Sequence, residues 1–177
     1  MAKLITILLV ALIQNSNLAM ASDSDLKTVP FVDVGRYLGT WYRIASNPLF
    51  FEGKCSCSRQ VLSLNTDSNI SVYNSCNEFP GGPLREIRGV AINQDPTSNS
   101  KLIVDFGFPH KGQYWIIGLD AEYRWAVVSD PSKTTLYILS KTPELSADEY
   151  KEAISTAEKQ LDTSKLVFEV QKDCTYP

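Results

Sequence analysis

Four cysteines, one histidine and a single Asn-x-Ser triplet are the residues of this chain whose types and spacing can carry chemistry. The cysteines are Cys55, Cys57, Cys76 and Cys174. Free, the Cys55-Ser56-Cys57 pair would suit thiol redox chemistry or metal capture; bonded, it would staple the chain. His110 stands alone in a Pro-His-Lys-Gly turn and reads as a solvated turn residue. No Ser-His-Asp order and no metal-ligand spacing accompanies it, so the sequence assigns no catalytic residue, no metal site and no cofactor. Asn69-Ile70-Ser71 is an N-glycosylation acceptor, meaningful if Asn69 lies in an exposed turn of an exported protein.

Export is what the first residues indicate. Lys3, the apolar run from Leu4 to Ile13 and the small-residue stretch Ala19-Met20-Ala21 have the layout of a secretory signal. The run is shorter than the roughly 20 residues a membrane-spanning helix needs. Cleavage is expected after Ala21, which divides the chain into a signal peptide at 1–21 and one domain at 22–177. No cysteine follows the cleavage site directly, so a lipid anchor is not indicated. Loss of Lys3 leaves 16 basic against 20 acidic residues, a net charge of −4. Both signs are interspersed, which excludes a nucleic-acid footprint. The expected location is extracellular. An even number of cysteines in an exported chain reads as two disulfides. Positions two apart on one strand lie about 6.5–7 Å apart, too far for Cys55 to bond Cys57. One of the two is expected to reach Cys174 and the other Cys76; the order stays open.

These residues hang on a run of strand-like segments. After an extended or loose arm at 22–35, strand-like segments run over 41–45, 58–64, 70–76, 87–93, 102–106, 114–119, 125–129 and 135–141; over 114–119 both faces are apolar. Asn65 to Asn69, Pro80-Gly81-Gly82-Pro83 and Phe108 to Gly112 mark turns between them. Asn47 to Gly53 is a loop with an aromatic pair, Phe50-Phe51, read either as rim packing or as a lid. Eight antiparallel strands joined by hairpins can close into a barrel with room for one small ligand. One segment breaks the rhythm. Ser146 and Glu149 form a capping-box pattern, and Tyr150, Ile154, Ala157 and Leu161 recur at helical spacing. The fold class expected is all-β: an eight-stranded up-and-down barrel, one C-terminal α-helix outside it, and a last edge strand near 166–170.

Three landmarks sharpen this. Gly39-Thr40-Trp41-Tyr42, Leu119-Asp120-Ala121-Glu122-Tyr123 and Ile138-Leu139-Ser140-Lys141-Thr142-Pro143 together resemble the three signature regions of the lipocalins. They are most similar to the apolipoprotein D and bacterial outer-membrane lipocalin branch, while the cysteine pattern resembles that of the plant chloroplast lipocalin. The resemblance implies that Gly39, Trp41, Asp120 and Lys141 keep the fold, with Trp41 closing one barrel end and Lys141 lying across it where most relatives carry arginine.

Alternation then suggests the interior. Asp105 should face water, leaving Leu102, Val104 and Phe106 inside. Cys57 and Arg59 should face out, leaving Ser58, Gln60, Leu62 and Leu64 inside. The resemblance places Tyr114, Ile116 and Tyr137 inside as well. The ligand-contact set so expected is Leu62, Leu102, Val104, Phe106, Tyr114, Ile116, Trp125 and Tyr137. The function this implies is extracellular binding and transport of a small hydrophobic ligand: a fatty acid, lysophospholipid, sterol, retinoid or carotenoid. A lipid- or carotenoid-modifying enzyme on the same barrel and a subunit of a pigment complex are the alternatives. A peripheral membrane or lipoprotein contact and a homo-oligomer are compatible with the resemblance.

Overall fold

The computed structural model describes residues 25–48, 55–174 and 176–177; the expected signal peptide and Phe50-Phe51 lie outside the described residues. Eight strands follow in order: β1 (Gly39–Ser46), β2 (Ser56–Leu64), β3 (Ile70–Asn77), β4 (Leu84–Asn93), β5 (Lys101–Asp105), β6 (Lys111–Leu119), β7 (Trp125–Ser129) and β8 (Leu136–Ser140). Each pairs antiparallel with the next, and β1 pairs with both β8 and β2, so the sheet closes on itself. The expected barrel is therefore present. A one-turn helix, α1 (Val34–Tyr37), precedes it; α2 (Ala147–Glu158) and a short strand, β9 (Val167–Phe168), follow.

Local chemistry explains the turns and caps. Asn65 Oδ1 accepts the N–H groups of Asp67 (2.9 Å) and Asn69 (3.0 Å) and so rounds the β2–β3 turn. Ser146 caps α2 in a complete capping box: its hydroxyl accepts the Glu149 N–H, and the Glu149 carboxylate accepts the Ser146 N–H. Asp130 organises the β7–β8 turn, accepting from Ser132 N (2.7 Å), Thr134 Oγ1 (3.0 Å), and Thr135 N and Oγ1 (both 2.6 Å). Burial alone would raise the Asp130 pKa, but these donors outweigh it and hold the carboxyl at about 2. A lowered folded pKa stabilises above the ordinary value of 3.8 and is lost as pH falls through about 2. Asp130→Ala is expected to cost about 2 kcal/mol at pH 7 through stranded donors. Urea titrations at pH 7 and pH 3 should show the gap to wild type narrowing in acid; a constant gap would contradict the assignment.

Apolar residues separate into two cores. One fills the barrel and includes Trp41, Leu62, Val72, Leu102, Val104, Ile116 and Val128. The other lies between the outer wall and α2, joining Ile117, Trp125, Val127 and Ile138 to Ala153 and Ala157. The small alanines let α2 approach closely. A Cβ on Gly118 would come within 2.6 Å of Thr156 Cγ2, so only glycine fits that point of the wall.

Two regions depart from expectation. The arm expected to be loose is pinned over its described part: Val29 N–H donates to Ile116 O (2.9 Å), Val32 N–H to Ser98 O (2.7 Å), and Val32 is buried. The second is the seam between β1 and β2, which pair only from Gly39–Leu62 to Tyr42–Arg59. Beyond that, the C-terminal segment fills the gap. Glu169 N–H donates to Ile44 O (2.9 Å), and Cys57 N–H to Val170 O (3.0 Å). The Glu169 carboxylate takes Arg43 Nε and Ser58 N–H; the Arg43 and Glu169 side chains are 12% and 7% exposed. Cys57 bonds Cys174 here, and Cys55 bonds Cys76, which settles the open pairing.

Candidate functional site

β1 begins at one end of the barrel, and that end is sealed. Trp41 is fully buried, stacks on Tyr37 at 4.8 Å between ring centroids, and donates its indole N–H to Tyr37 O (2.7 Å). The Lys141 ammonium lies 4.2 Å from the Trp41 ring centroid and donates to the carbonyls of Tyr37 (3.3 Å) and Leu38. Gly39 has φ +95°, a backbone conformation that favours glycine, and sits beneath that ammonium. Asp120 braces the neighbouring β6–β7 turn. Its carboxylate accepts from Glu122 N, Arg124 N, and Arg124 Nε and Nη2, and Arg124 reaches on to Glu149 of α2. Hydrogen bonding by Arg124 holds the Asp120 carboxyl below its ordinary range.

Burial depresses the Lys141 pKa to about 8 from an ordinary 10.5. Between those values the unfolded chain binds more protons than the folded one, so this residue makes stability rise with pH. Lys141→Arg stays charged throughout and is expected to lose that rise. Unfolding titrations from pH 8 to 9.5, below tyrosine ionisation, check this; an identical pH slope in both proteins would contradict it.

Above the floor, Gln60, Leu62, Val72, Ala91, Leu102, Val104 and Tyr114 face one another across the interior and leave between them no space that admits a water molecule. Phe106, Ile116 and Tyr137 pack in the same interior core. Ordinary ligand pockets hold roughly 300–1,000 Å³, so a guest requires these side chains to move apart. At the other end, the described residues present a partly apolar rim, with Leu84 and Ile87 part-exposed, Phe79 open to solvent and Phe108 fully so.

One polar chain crosses the interior. Tyr114 O–H donates to Gln60 Oε1 (3.1 Å), and the Tyr37 and Tyr114 hydroxyls lie 2.8 Å apart. Since the one Tyr114 proton goes to Gln60, Tyr37 donates to Tyr114. Burial holds both phenols well above their ordinary pKa.

The expected contact set divides. Leu62, Leu102, Val104 and Tyr114 face the barrel interior, and Phe106, Ile116 and Tyr137 pack in the same core. Trp125 is a correction: it lies on the outer wall with Val127 and α2, beside a groove lined by Asp148, Lys151 and Glu152. β7 is apolar on both faces because α2 covers the outside, so alternation gave no sign of which face its tryptophan takes. Leu64, expected inside, is 57% exposed at the strand end. Ser58, also expected inside, meets Arg43 and Glu169 in the seam, because a register shift at φ +58° on Cys57 interrupts the alternation of β2. Val72 and Ala91 were missed. Alternation along Ile70, Val72 and Asn74 was the signal for the first.

A closed eight-stranded barrel with one outer helix, a tryptophan floor and a basic side chain across it is the architecture of a small-ligand binding barrel. Residues 32–171 match the lipocalin-like domain, and the chain belongs to the lipocalin family, known for binding small hydrophobic ligands. It is 34% identical over 164 residues to temperature-induced lipocalin-1 of Arabidopsis thaliana, covering 87% of each chain. It is 34% identical over 137 residues to the outer membrane lipoprotein Blc of Escherichia coli (strain K12), covering 77% of each. The tryptamine complex of the amine binding protein of Rhodnius prolixus superimposes with a TM-score of 0.65 at 19% identity, covering 87% of this chain and 90% of that one; this likeness concerns the fold.

Proposed function

We propose that the chain is an exported carrier that holds one slender hydrophobic molecule in the barrel lumen and performs no covalent chemistry on it. The observation that carries this reading is the closed barrel whose interior face, at Leu62, Val72, Ala91, Leu102 and Val104, is apolar and sealed below by Trp41; a guest enters by displacing these side chains. About 300 Å² of hydrocarbon buried there contributes about 7 kcal/mol before association costs, so further contacts must supply the rest of any micromolar affinity. The pairing of all four cysteines supports a carrier over a thiol enzyme, since no thiol is left to act as a nucleophile. Secretion rests on the N-terminal pattern and is supported by the two disulfides. A glycan on Asn69 would sit on the β2–β3 turn, at the sealed end and away from the ligand's entry.

Titration with parinaryl alcohol, a linear fluorescent polyene, tests the reading. One saturable site per chain is expected. Tyr137→Glu, which places a carboxylate in the interior core, should weaken binding at least tenfold with an unchanged circular dichroism spectrum. A barrel filled by its own side chains would give no saturable signal from either the alcohol or parinaric acid.

A further inference from the structure

Backbone ladders join neighbouring strands around the barrel, but the ladder between β1 and β2 stops halfway. It runs only through the sealed half, from Gly39–Leu62 to Tyr42–Arg59. Both strands carry a register shift where it ends, β1 between Arg43 and Ala45 and β2 between Ser56 and Arg59. Toward the mouth, the wall is completed by residues 167–171 of the C-terminal segment.

The two sides of that segment are held unequally. On the β1 side it is a strand: Phe168 pairs with Ala45, Val167 with Ser46, and Glu169 N–H donates to Ile44 O (2.9 Å). The Glu169 carboxylate also pairs with Arg43 of β1. On the β2 side, one backbone–backbone bond stands among the described residues, from Cys57 N–H to Val170 O (3.0 Å). The remaining contacts use side chains. Ser58 N–H donates to the Glu169 carboxylate, Gln171 Nε2 donates to Ser58 O (2.9 Å), and Arg59 meets the Tyr176 ring and Pro177 O. The covalent tie across this face is the Cys57–Cys174 disulfide.

The interior side chains leave no space that admits a water molecule, so a guest requires the wall to widen. Elsewhere widening breaks a run of ladder hydrogen bonds together. Here it breaks one, and β9 stays on β1 while β2 moves away. The outer surface beside this seam is apolar: Val167, Phe168 and Val170 are 58%, 62% and 52% exposed. A hydrophobic molecule has a landing surface there.

We infer that this seam is a lateral gate: the guest passes between the C-terminal segment and β2, and the Cys57–Cys174 bond is the latch that limits the opening. The inference rests on the carrier reading and adds the route of entry and what controls it.

Stopped-flow mixing with parinaryl alcohol tests it, with amide hydrogen exchange on the ligand-free protein as a second readout. In wild type the observed rate should level off as probe concentration rises, because opening precedes entry. Cys57→Ser/Cys174→Ser should raise that ceiling by about tenfold or more, and the Ser58 and Glu169 amides should exchange faster by a similar factor. Gln171→Ala keeps both disulfides and should raise the ceiling by about threefold. Cys55→Ser/Cys76→Ser loosens β2 against β3 but not against the tail, and should leave the ceiling at the wild-type value. A wild-type ceiling in the Cys57→Ser/Cys174→Ser protein would overturn the inference, and so would an equal rise in the Cys55→Ser/Cys76→Ser protein or unchanged exchange at Ser58 and Glu169. In each of these cases the carrier reading stands. No saturable signal from any of the proteins would overturn the carrier reading and the route with it.

Discussion

Replacing Trp41 by alanine is expected to lower the unfolding free energy by about 3–5 kcal/mol. The residue is fully buried and joins three things: the floor of the interior core, the Tyr37 ring, and the Lys141 ammonium across its outer face. Truncation opens a void at the sealed end, where β1 and β2 are still paired and resist collapse. It also strips the Lys141 charge of its ring partner and Tyr37 O of the indole donor. Trp41→Phe keeps a ring and loses the N–H, and should cost about 1–2 kcal/mol. Denaturant titration of both variants gives the comparison. A loss below about 1 kcal/mol for the alanine variant would show that Trp41 is not the floor.

The second large effect concerns the seam. Cys57 and Cys174 are 117 residues apart, whereas Cys55 and Cys76 are 21 apart. On the chain-entropy view, the long loop stabilises by about 4–5 kcal/mol and the short one by about 3. Cys57→Ser/Cys174→Ser is therefore expected to be the more costly pair of substitutions. The tail keeps other anchors. Gln171 Nε2 donates to Arg43 O (2.8 Å) and Ser58 O (2.9 Å), and Glu169 remains paired with Arg43. The variant should thus still fold at low denaturant, with its midpoint shifted well below that of Cys55→Ser/Cys76→Ser. The reverse order of midpoints would contradict the role given to the tail.

Strand facing was legible where one side of the strand met water. β5 shows why: Asp105 marked the outer face, and Leu102 and Val104 are buried in the interior core. The α2 helix was equally legible, since the Ser146–Glu149 capping box and the apolar stripe through Ala157 are local patterns. β7 was not, because α2 buries its outer face and removes the polar residues that would have marked it. β2 misled at Ser58, where a bulge shifts the register and the C-terminal segment intrudes from more than 100 residues away. The arm at 25–33 carries no periodicity; its order comes from hydrogen bonds to Ser98 and Ile116, which local sequence does not encode.

The position of the guest is the most direct measurement. A ¹³C-labelled long-chain alcohol bound to unlabelled protein, studied by isotope-filtered nuclear Overhauser spectroscopy, reports which protons lie within a few ångströms of the chain. Cross-peaks from its methylenes to the methyl groups of Leu62, Val72, Ala91 and Val104 are expected. Contacts confined to Trp125 and the α2 groove, or no saturable complex to observe, would contradict binding in the lumen.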